Sequence, residues 1–537
     1  MAGPIAEYHA RGWWQTRTLG EIVAAHAADR PDALAFGWGD ARQSWAAYHW
    51  CGDALAARLA GEGVRPGDRV LVFMPDGGGV HAAYLGCERA GAVAVGIGWR
   101  AGRRELAALC AKTGVRVAVL PASTPHGTAE SVCRDLELER WIELADLDGD
   151  PRPAEGARWE PSGAEPSRGI GTSDLWLINS TSGTTGLPKC VMQTQNRWFY
   201  FHQKAVEFGD LTAGERFMSV VPAPFGFGLW TSHFTPTITG APCFVQPRFD
   251  PRAAAECIAE ERITVLCAVS SQFVMILDAA DGLDLSSLRV LFTGGERLPL
   301  ERSREFELRT GCRVLNFYGS NETGMLSGTR TTDPLERRIT TGGRCVAEMN
   351  VRLYDDDDRR IPNDVGVGRP ACRGPALSPG YYDDDEANRQ LFTDDGWMWM
   401  GDRVEIDADG WLTVIGRTAD FIVRGGKNVS APAVEEEVSS HPAVLQVAAV
   451  PVPDTRLGER VGICVTLRPG AELDLESLRA HLASRGVSKE WWPERIAILD
   501  ALPVSSGGKI AKGELRARVA EIFGEAAGAQ TRTRSSS

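Results

Sequence analysis

The chain has 537 residues, 43% of them hydrophobic, and a formal net charge of -13 at pH 7. Single hydrophobic cores stop growing near about 250 to 300 residues, so this length predicts two or three domains. Nucleic-acid binding depends on clustered Lys and Arg that neutralise phosphates, so the acidic balance argues against DNA, RNA and anionic membranes as partners. The 12 cysteines include no CxxC pair, which predicts reduced thiols in a cytoplasmic protein rather than a disulfide framework.

Neither end of the chain predicts targeting or membrane insertion. The N-terminal residues MAGPIAEYHARGWW contain no apolar stretch of signal-peptide length. Nowhere does the sequence approach the run of about 20 apolar residues that a membrane-spanning helix needs. We therefore expect a soluble protein without membrane insertion, and we expect residues 526–537 to form a disordered polar tail.

Short apolar runs alternate with helical patterns through much of the chain. Between about residues 45 and 120, the helix-like ALAARLAGEG precedes the strand-like RVLVFMP, and a second helix-like stretch precedes AVAVGI. The alternation resumes after Asp174 through LWLIN, RFMSVVP, ITVLCAV, RVLFTGG and CRVLNFYG. This alternation predicts parallel strands joined by crossover helices. Residues 149–173, rich in Gly, Pro and charge, predict a surface loop between two sheets.

The pattern changes in the last two hundred or so residues. From about residue 339 to 414, short strands with turn signals dominate, which favours a β-rich, barrel-like subdomain. After Arg417 the helix-like AVEEEVSSH and LESLRAHLASRG are interleaved with strand-like runs. We predict an α/β fold with a large N-terminal domain at residues 1–416, built of parallel-rich sheets and the β-rich subdomain. A small, mobile α+β C-terminal domain is predicted at residues 421–525.

The clearest chemical signal is STSGTTGLPK, which spans residues 180–189 and directly follows the strand-like LWLIN. A loop of Gly, Ser and Thr that ends in Lys offers backbone amides, hydroxyls and one cation to phosphate groups. It lacks the GxxxxGK[ST] pattern of a Walker loop. A phosphate-binding loop is therefore the prediction, and a flexible Ser/Gly turn is the alternative.

This loop resembles the signature loop of the acyl-adenylate-forming superfamily, which contains acyl-CoA synthetases, peptide-synthetase adenylation domains and luciferases. The resemblance extends over about residues 20 to 520. In that family the loop holds the β- and γ-phosphates of ATP. The resemblance assigns this role to Thr181, Ser182, Gly183, Thr184, Thr185, Gly186 and Lys189. Cys190 stands where Gly is usual, and its small side chain is compatible with the loop.

A second motif, NFYGSNETG, occupies residues 316–324 after the strand-like CRVL, and so lies where open α/β sheets bind ligands. It resembles the family's YGxTE motif, which implies that Tyr318 stacks on adenine and that Glu322 binds Mg²⁺ through an oxygen. A structural Tyr and a solvated Glu are the alternatives. Asn321 replaces the usual Thr, and its amide offers a partial substitute for the hydroxyl. The resemblance implies nucleotide-binding roles for Asn316, Tyr318, Gly319, Ser320 and Asn321.

Further segments resemble other parts of the family's nucleotide site. GGERLP is similar to the turn that forms the second wall of the adenine slot, which implies roles for Gly294, Gly295 and Glu296. Asp402, in WMWMGD, resembles the aspartate that accepts both ribose hydroxyls, and Arg417, in IGRTAD, resembles the arginine that assists it. Each match is uninformative alone. Their order and spacing after the phosphate loop give them weight.

The C-terminal part contains LPVSSGGKIAKGELR, which resembles the family's P-x-T-x-S-G-K segment. Attack of a carboxylate on the α-phosphate brings two anions together, so a positioned cation stabilises the transition state. The resemblance makes Lys509 that candidate cation, with Thr181 and Glu322 as the other catalytic candidates. A solvated surface lysine is the alternative for Lys509.

The family resemblance also implies that the C-terminal domain rotates between the two half-reactions. The hinge is expected at residues 417–420, where Ala419 replaces the usual Asp or Lys. A hinge needs backbone freedom rather than charge. The hinge is therefore still expected at residues 417–420, and the Ala419 side chain is given no role in it. Gly425 and Gly426 resemble the loop that lines the pantetheine tunnel after rotation.

The segment PAPFGFGLW, at residues 222–230, corresponds to the lining of the family's acyl pocket. Many relatives have His in place of Phe225, and the Phe-Gly-aromatic-Gly pattern resembles benzoate-type ligases. Aromatic walls with small glycines suit a flat or cyclic apolar acid. The candidate pocket residues are Phe225, Gly226, Phe227, Gly228 and Trp230. Aromatic side chains that simply fill the core are the alternative.

The resemblance implies an AMP-forming carboxylate-CoA ligase that uses ATP, Mg²⁺ and coenzyme A. It would adenylate an aromatic or alicyclic small-molecule acid with release of pyrophosphate, and then form the acyl-CoA thioester with release of AMP. The first alternative is an adenylating enzyme that loads the phosphopantetheine thiol of a separate carrier protein. The second is a nucleotide-responsive binding module without catalysis, prompted by Asn321, Cys190 and Ala419. We expect a monomer or a homodimer.

Overall fold

The structure, a computed structural model, describes residues 4–144, 169–181, 189–295, 298–355, 357–417, 421–424, 427–454, 456–485, 487, 489–504 and 510–524. The chain divides into two units. The first unit is Met1–Val351 with Ala371–Trp399, and the second unit is Arg352–Pro370 with Met400–Ser537. The predicted surface loop lies mostly outside the described residues, and the predicted tail lies wholly outside them.

The strands are numbered along the chain over the described residues. They are β1 (Leu34–Trp38), β2 (Ala41–Ser44), β3 (Arg69–Val72), β4 (Val93–Gly96), β5 (Val117–Leu120), β6 (Ser123–Thr124), β7 (Gly127–Thr128), β8 (Arg140–Glu143), β9 (Leu177–Thr181), β10 (Lys189–Gln193), β11 (Phe217–Ser219), β12 (Cys243–Val245), β13 (Val265–Cys267), β14 (Val290–Gly294), β15 (Arg313–Ser320), β16 (Gly324–Gly328), β17 (Arg344–Cys345), β18 (Val351–Tyr354), β19 (Gly366–Cys372), β20 (Met398–Trp399), β21 (Asp402–Ile406), β22 (Leu412–Arg417), β23 (Phe421–Arg424), β24 (Lys427–Ser430), β25 (Val444–Asp454), β26 (Gly458–Leu467) and β27 (Arg495–Ile498).

The helices are numbered in the same way. They are α1 (Pro4–Ala10), α2 (Leu19–Asp29), α3 (Trp45–Gly61), α4 (Gly78–Arg89), α5 (Arg103–Thr113), α6 (Ala129–Asp135), α7 (Gln195–Gly209), α8 (Gly226–Gly228), α9 (Thr235–Thr239), α10 (Pro251–Glu260), α11 (Ser270–Asp278), α12 (Leu300–Thr310), α13 (Leu335–Thr340), α14 (Asp385–Leu391), α15 (Ala431–Ser439), α16 (Leu475–Ser484), α17 (Lys512–Ala517) and α18 (Val519–Gly524). A π-helix, Leu229–Phe234, connects α8 to α9.

Two sheets form the centre of the first unit. The larger has the strand order β17-β16-β15-β14-β13-β11-β12-β1-β2, and the smaller has the order β10-β9-β4-β3-β5-β8. Strand β3 runs parallel to both β4 and β5, and β13, β14 and β15 run parallel to one another. All residues of β4 and β5 are buried, which is the pattern of strands covered on both faces. The predicted parallel strands with crossover helices are confirmed.

Helix α7 follows β10 directly and places polar residues in the interior of the first unit. Its first residues, Gln195, Asn196 and Arg197, are buried, and the aromatic residues after them are buried as well. The helix ends at Asp210, whose left-handed backbone conformation (φ 48°) breaks the helical geometry. Buried charge is costly unless it is hydrogen-bonded, so the beginning of α7 needs a specific polar environment.

The second unit is built mainly of antiparallel pairs. Strand β21 pairs with β19 and with β22, and the two longest strands, β25 and β26, pair along nearly their whole lengths. Helices α15 and α16 contribute to a hydrophobic cluster on the sheet that contains β25 and β26. The predicted mixed α/β architecture, with a larger N-terminal part and a smaller C-terminal part, is confirmed. The domain boundary at residues 416–421 stays a prediction.

No helix among the described residues combines the length and the apolar character that a membrane-spanning helix requires. None of the 12 cysteines, all of which lie in the described part of the chain, forms a disulfide.

Candidate active site

The two ends of the predicted phosphate loop are neighbours in the first unit. Strand β9 ends at Thr181 and β10 begins at Lys189, and these residues are register partners in an antiparallel pair. Strand β9 also runs parallel to β4, so Thr181 lies at the carboxyl end of a strand in a parallel part of the sheet. Such strand ends are where α/β sheets bind ligands. The loop itself, residues 182–188, lies outside the described residues, and with it lie Ser182, Gly183, Thr184, Thr185 and Gly186.

The two residues that begin β10 differ in their surroundings. The ammonium nitrogen of Lys189 lies 4.8 Å from the centre of the Tyr381 ring, which is a cation–π contact. Cys190 is buried in a hydrophobic cluster of the smaller sheet. Burial raises the pKa of the Cys190 thiol to about 11. The residue that replaces the family's usual Gly is therefore a neutral core side chain.

The segments GGERLP and NFYGSNETG leave adjacent parallel strands. Gly294 at the end of β14 is the register partner of Phe317 in β15. A Cβ atom on Gly294 would lie 2.3 Å from the Phe317 carbonyl oxygen, so this close approach requires glycine. Both segments therefore start at the same edge of the larger sheet, as the sequence predicts. Gly295 is exposed there, and Glu296 lies outside the described residues.

Hydrogen bonds close the turn between β15 and β16. The Ser320 amide donates to the Thr323 hydroxyl oxygen (2.9 Å), and the Thr323 amide donates to the Ser320 hydroxyl oxygen (3.1 Å). A Cβ atom on Gly319 would lie 1.8 Å from the Gly324 carbonyl oxygen, so the two strands need glycine here as well. The result is a tight turn that carries Asn321 and Glu322 at its tip.

Two other residues of this motif lie inside the fold. The Asn316 side-chain amide donates to the Thr341 carbonyl oxygen (2.8 Å), and this bond ties β15 to the residue after α13. Tyr318 is only 7% exposed. The nucleotide contacts assigned to both residues, including stacking of adenine on Tyr318, stay predictions.

Glu322 is held through its main chain and its side chain. Its carbonyl oxygen accepts hydrogen bonds from the Ser378 amide (2.7 Å) and from Nη2 of Arg197 (3.1 Å). Its carboxylate oxygen Oε1 accepts a hydrogen bond from the Tyr381 hydroxyl (2.8 Å). Burial and the nearby Glu322 carboxylate raise the pKa of Tyr381, so its hydroxyl is a neutral donor. This carboxylate is therefore oriented by the protein.

Arg197 lies behind the turn and is 1% exposed. Its guanidinium donates to the carbonyl oxygens of Ala376 (2.8 Å), Asn321 (2.9 Å) and Glu322, and to the Gln193 side-chain oxygen. All four acceptors are neutral amide oxygens. Burial lowers the pKa of Arg197 to about 9, which leaves the guanidinium charged at neutral pH. A buried positive charge therefore supports the turn that carries Glu322.

Asn321 links this turn to the strand that precedes the phosphate loop. Its side-chain amide nitrogen donates to Oδ1 of Asn179 (2.7 Å), and the Asn179 amide nitrogen donates back to Oδ1 of Asn321 (3.0 Å). The Gln193 amide nitrogen also donates to Asn321 Oδ1 (3.2 Å). The Asn321 amide is thus engaged by neighbouring amides at the position where the sequence predicts a substitute for a phosphate-binding hydroxyl.

The same Asn179 reaches the predicted acyl segment. Its amide nitrogen donates to the Pro224 carbonyl oxygen (2.9 Å), and the Asp76 carboxylate accepts from the Ala223 amide (2.7 Å). Phe225 and Phe227 are partly exposed next to this anchored stretch. A Cβ atom on Gly228 would lie 2.0 Å from the Pro222 carbonyl oxygen, so that glycine serves a tight backbone crossing. One side chain therefore joins the phosphate strand, the Glu322 turn and the acyl segment.

Trp230 lies deeper than the rest of the acyl segment. It is 1% exposed and stacks on Phe201, with 4.4 Å between ring centres. Phe227, Phe292 and Phe317 surround the same ring. This environment is that of the core aromatic which the sequence allows as an alternative, and a direct contact of Trp230 with substrate stays a prediction. Trp230 belongs to the π-helix, an irregularity that is frequent at functional sites.

The second unit carries the predicted ribose-binding residues. Asp402 begins β21 and Arg417 ends β22, and the two are register partners. Two residues 15 positions apart along the chain are thereby brought side by side in the backbone ladder. Ala419, Gly425, Gly426 and Lys509 lie outside the described residues. The bridge between Val504 and Ile510 flanks the segment that contains Lys509.

The residues that orient the site were missed by the sequence analysis. They are Asn179, Gln193, Arg197, Ser378 and Tyr381. One signal was available: polar side chains interrupt apolar or aromatic runs in LWLIN and in NRWFYF. Buried polar groups need hydrogen-bond partners, so such interruptions point to a network even though they do not identify it.

The described residues suit a magnesium ion that is shared with phosphate. Mg²⁺ prefers oxygen ligands and is usually bound through one or two carboxylates together with substrate phosphates. Glu322 supplies one oriented carboxylate, and no cluster of three or more metal-binding side chains occurs elsewhere within the described ranges. This donor set fits Mg²⁺ bound with ATP.

Comparison with known proteins shows the family of the chain. Residues 23–382 match the AMP-binding enzyme family, and residues 433–509 match the AMP-binding enzyme C-terminal domain. The chain belongs to the AMP-binding enzyme family. As predicted, it is an enzyme that uses ATP with Mg²⁺ to adenylate a carboxylic acid.

Individual relatives cover almost the whole chain. The 2-hydroxy-7-methoxy-5-methyl-1-naphthoate--CoA ligase of Streptomyces carzinostaticus is 31% identical over an alignment of 541 positions, gaps included, that covers 95% of this chain and 95% of its own. The salicyl-AMP ligase / salicyl-S-ArCP synthetase of Mycobacterium tuberculosis is 31% identical and covers 95% of this chain and 92% of its own. The structure of the anthranilate CoA ligase AuaEII with anthranoyl-AMP superposes with a TM-score of 0.83 at 23% identity, over 96% of this chain and 98% of that chain.

Proposed function

We propose that the protein is an aromatic or alicyclic acid-CoA ligase. In the first half-reaction the acid carboxylate attacks the α-phosphate of ATP, which forms the acyl-adenylate and releases pyrophosphate. In the second, the thiol of coenzyme A attacks the acyl carbonyl and AMP leaves. The observation that supports this most directly is the contact of Asn179 with both Asn321 and Pro224, because it places the Glu322 turn beside the acyl segment.

The roles of the first-unit residues follow from their chemistry. The loop from Thr181 to Lys189 would bind the β- and γ-phosphates, and Glu322 would hold Mg²⁺, which neutralises charge on the phosphate oxygens when it is bound. Gly294 and Gly295 would form one wall of the adenine slot, and Tyr318 would form the other. With these assignments the phosphates of ATP would bind at the carboxyl ends of the strands. The adenine base would lie between the segments GGERLP and NFYGSNETG.

Three residues of the second unit are assigned roles in the same reaction. The Asp402 carboxylate would accept the ribose hydroxyls with help from Arg417, and Lys509 would stabilise the charge that develops on the α-phosphate. We place the N-terminal domain at residues 1–416, the hinge at 417–420 and the C-terminal domain at 421–525. Rotation at this hinge would exchange the Lys509 face for the loop with Gly425 and Gly426 when the thiol arrives.

The class of acid follows from the partly exposed aromatic residues of the acyl segment. Phe225 and Phe227 alternate with glycines and lie beside the Asn179 anchor. Flat apolar walls with little side-chain bulk between them favour a planar or cyclic acid. The Streptomyces relative is named for a naphthoate and the Mycobacterium relative for a salicyl group, which supports the same class here.

A second candidate differs only in the acceptor. The Mycobacterium relative is named for a salicyl-S-ArCP product, so a separate carrier protein is the alternative source of the thiol.

Because all 12 cysteines are thiols rather than disulfides, we place the protein in the reducing cytoplasm. Monomer and homodimer are both compatible with either acceptor.

The decisive experiment measures pyrophosphate release with MgATP for benzoates, hydroxybenzoates, naphthoates, cyclohexane carboxylates and fatty acids, each with and without coenzyme A. We expect steady turnover for one of the cyclic acids only when coenzyme A is present. Release that stops after one turnover with coenzyme A present would favour the carrier-protein acceptor. A fatty acid as the best substrate would overturn the proposed acid class.

The same assay tests the proposed cation of the second unit. Replacing Lys509→Ala should lower adenylation by at least about 100-fold, since one preorganised charge is worth about 2.7 to 4 kcal/mol in a transition state. ATP binding, measured by calorimetry, should be nearly unchanged. Adenylation at the wild-type rate would remove the role given to Lys509.

A further inference from the structure

One segment of the first unit contacts Glu322 at two points. In residues 376–381 the Ser378 amide donates to the Glu322 carbonyl oxygen (2.7 Å), and the Tyr381 hydroxyl donates to the Glu322 carboxylate (2.8 Å). The Ser378 hydroxyl in turn donates to the Met192 carbonyl oxygen of β10 (2.7 Å). The segment is therefore fixed both to the Glu322 turn and to the strand that follows the phosphate loop.

Tyr381 is rigidly held for this contact. Its amide donates to Oδ1 of Asn388 (2.8 Å), and the Asn388 amide nitrogen donates to the Tyr381 carbonyl oxygen (2.8 Å). The residue also forms a β-bridge with Val191 and packs among Leu391 and Met398. With main chain and ring both constrained, the hydroxyl has one well-defined position.

The ring of the same tyrosine contacts the cation at the end of the phosphate loop. The Lys189 ammonium lies 4.8 Å from the ring centre. A cation–π contact of this kind contributes about 0.5 to 1 kcal/mol where solvent is present. Tyr381 therefore touches two groups of opposite charge, Glu322 through its hydroxyl and Lys189 through its ring.

We propose that Tyr381 is a positioning residue of the nucleotide site, whose hydroxyl orients the Glu322 carboxylate for Mg²⁺ and whose ring orients the Lys189 ammonium for phosphate. This inference rests on the roles proposed above for Glu322 and Lys189. A hydrogen bond to one carboxylate oxygen restricts rotation of the group, and removal of such an outer partner typically weakens metal binding about 10- to 100-fold. The tyrosine thereby sets the distance between the two charges independently of the loop.

The first test separates the hydroxyl from the ring. Tyr381→Phe keeps the ring, so the Mg²⁺ concentration that half-saturates ATP binding, measured by calorimetry, should rise about 10-fold or more. ATP affinity in EDTA should stay at the wild-type value. The matched control is Tyr382→Phe, because Tyr382 is the next residue and packs on the hydrophobic cluster of the smaller sheet. An unchanged Mg²⁺ requirement in Tyr381→Phe would overturn the hydroxyl's role.

The second test addresses the ring. Tyr381→Leu should additionally lower ATP affinity in EDTA about 2- to 5-fold relative to Tyr381→Phe, which corresponds to the cation–π contact with Lys189. Equal affinities in EDTA would overturn the ring's role. Thermal unfolding of each variant reports folding, and the Phe variant keeps the proposal testable even if the Leu variant does not fold.

Glu322→Gln distinguishes failure of this inference from failure of the proposed function. If Glu322→Gln raises the Mg²⁺ requirement and Tyr381→Phe does not, only the positioning role is wrong. If neither variant changes the requirement, the role proposed for Glu322 fails and the inference fails with it. Elevated requirements in both single variants, with no further increase in the double variant, would show that the two residues act as one unit.

Discussion

Two clusters of polar side chains lie mainly in the interior of the first unit. They offset the free-energy cost of removing polar groups from water in opposite ways. The amide–arginine network consists of Asn179, Gln193, Arg197 and Asn321, and it keeps a charge. The histidine cluster consists of His81, Tyr84, Trp176 and His233, and it is neutral. Except for Asn321, which is partly exposed, all members of both clusters are buried, so burial of polar groups alone does not distinguish a candidate functional region from a structural one.

The amide–arginine network is extensively hydrogen-bonded. Each of its amide side chains donates to or accepts from another member, and Arg197 makes four hydrogen bonds to neutral oxygens. Desolvating a guanidinium is expensive, and satisfied hydrogen bonds recover only part of that cost. The chain keeps this charge directly behind the turn that carries Glu322. The placement is consistent with a site that binds an anionic nucleotide.

The histidine cluster is held mainly by ring contacts. Nδ1 of His81 lies 3.1 Å from Nδ1 of His233, so one ring donates and the other accepts. His233 stacks on Trp176, with 5.4 Å between ring centres, and Nε2 of each histidine has no hydrogen-bond partner among the described residues. Burial lowers the pKa of both, that of His233 to about 3. The cluster anchors the π-helix that follows the acyl segment while remaining uncharged.

The difference shows what a buried polar group near a site contributes. In the network, Arg197 donates hydrogen bonds to main-chain oxygens of the Glu322 turn. Its charge and its hydrogen bonds therefore both affect the position of Glu322, the predicted Mg²⁺ ligand. The histidine cluster ends on aromatic rings, so it contributes packing. We infer that the network determines activity and that the cluster determines stability, and the following substitutions separate these effects.

The largest effect is expected for Arg197→Met. The substitution removes the Arg197 hydrogen bonds to the carbonyl oxygens of Asn321 and Ala376, and it removes one of the two donors to the Glu322 carbonyl oxygen. Each buried group left unsatisfied costs about 1 to 3 kcal/mol. We expect pyrophosphate release to fall more than about 100-fold and the melting temperature to fall by several degrees. The enzymatic assay and thermal unfolding measure the two effects.

The control for Arg197→Met is Arg134→Met. Arg134 is 74% exposed and pairs with Glu130 on the surface of α6, an interaction worth little. It should leave both activity and melting temperature nearly unchanged. Arg197→Lys should recover some stability but little activity, because one ammonium does not reproduce the forked geometry of the guanidinium. Wild-type activity in Arg197→Met would contradict the role given to the network.

The sequence predicted the strand ends of this site well. STSGTTGLPK follows an apolar run that forms β9 of the smaller sheet. GGERLP and NFYGSNETG follow apolar runs that form the parallel strands β14 and β15 of the larger sheet, and the carboxyl ends of these two strands carry Gly294 and the Glu322 turn. The hydrogen bonds that orient the turn were not predictable, because they join residues such as Asn179 and Asn321 that are 142 positions apart. A local sequence pattern indicates which residues are buried and whether they form a helix or a strand. It does not indicate which distant polar group forms a hydrogen bond with a buried side chain.

The buried arginine was the least predictable element. In QNRWFYFH the residue Arg197 is followed by aromatic residues and preceded by amides, a pattern in which a charged side chain is normally expected on the solvent face. Only the tertiary arrangement of residues 376–381 and of the Glu322 turn supplies its acceptors. The contacts of Asn316, Tyr318 and Asn321 with the nucleotide stay predictions.

A smaller effect, on stability alone, is expected for the histidine cluster as pH falls. Both histidines have folded-state pKa values below the ordinary value of 6.5, so the unfolded chain binds more protons below pH 6.5. Their stabilising contribution is therefore complete above pH 6.5 and is lost progressively as pH falls towards the folded values. For His233 the loss between pH 6.5 and pH 5 is about 1.6 kcal/mol, and His81 contributes a loss of the same sign.

The test is the double variant His81→Phe and His233→Phe, which removes both titrating groups and both ends of their hydrogen bond. The difference in melting temperature between pH 7 and pH 5 should shrink relative to the wild type, and pyrophosphate release at pH 7.5 should change little. His202, whose pKa burial lowers to about 4, remains in both proteins and leaves a residual pH dependence. An unchanged pH dependence would mean that the cluster opens before the unit unfolds.

The smallest expected effect tests whether the amide–arginine network extends to the acyl segment. In Gly226→Ala the new Cβ would lie 2.8 Å from Asn321 Oδ1 and 3.2 Å from a ring carbon of Trp198, so the Asn321 amide, which is hydrogen-bonded to Asn179, must shift. We expect kcat/KM for the acid to fall about tenfold, equivalent to about 1.4 kcal/mol. Gly61→Ala is the matched control, because its Cβ would meet nothing within 4 Å.

The coupling between the two positions decides the interpretation of Gly226→Ala. Asn321→Ala removes the amide oxygen that the new methyl group would meet, so Gly226→Ala should cost less in that background than in the wild type. We expect a coupling energy with a magnitude of about 0.5 to 1.4 kcal/mol from the double-mutant cycle, measured on kcat/KM for the acid. Additive effects would mean that the network ends at the nucleotide turn and does not sense the acid. A coupling that differs from zero would mean that Asn321, the residue that departs from the family motif, links the predicted nucleotide-binding turn energetically to the predicted acyl segment.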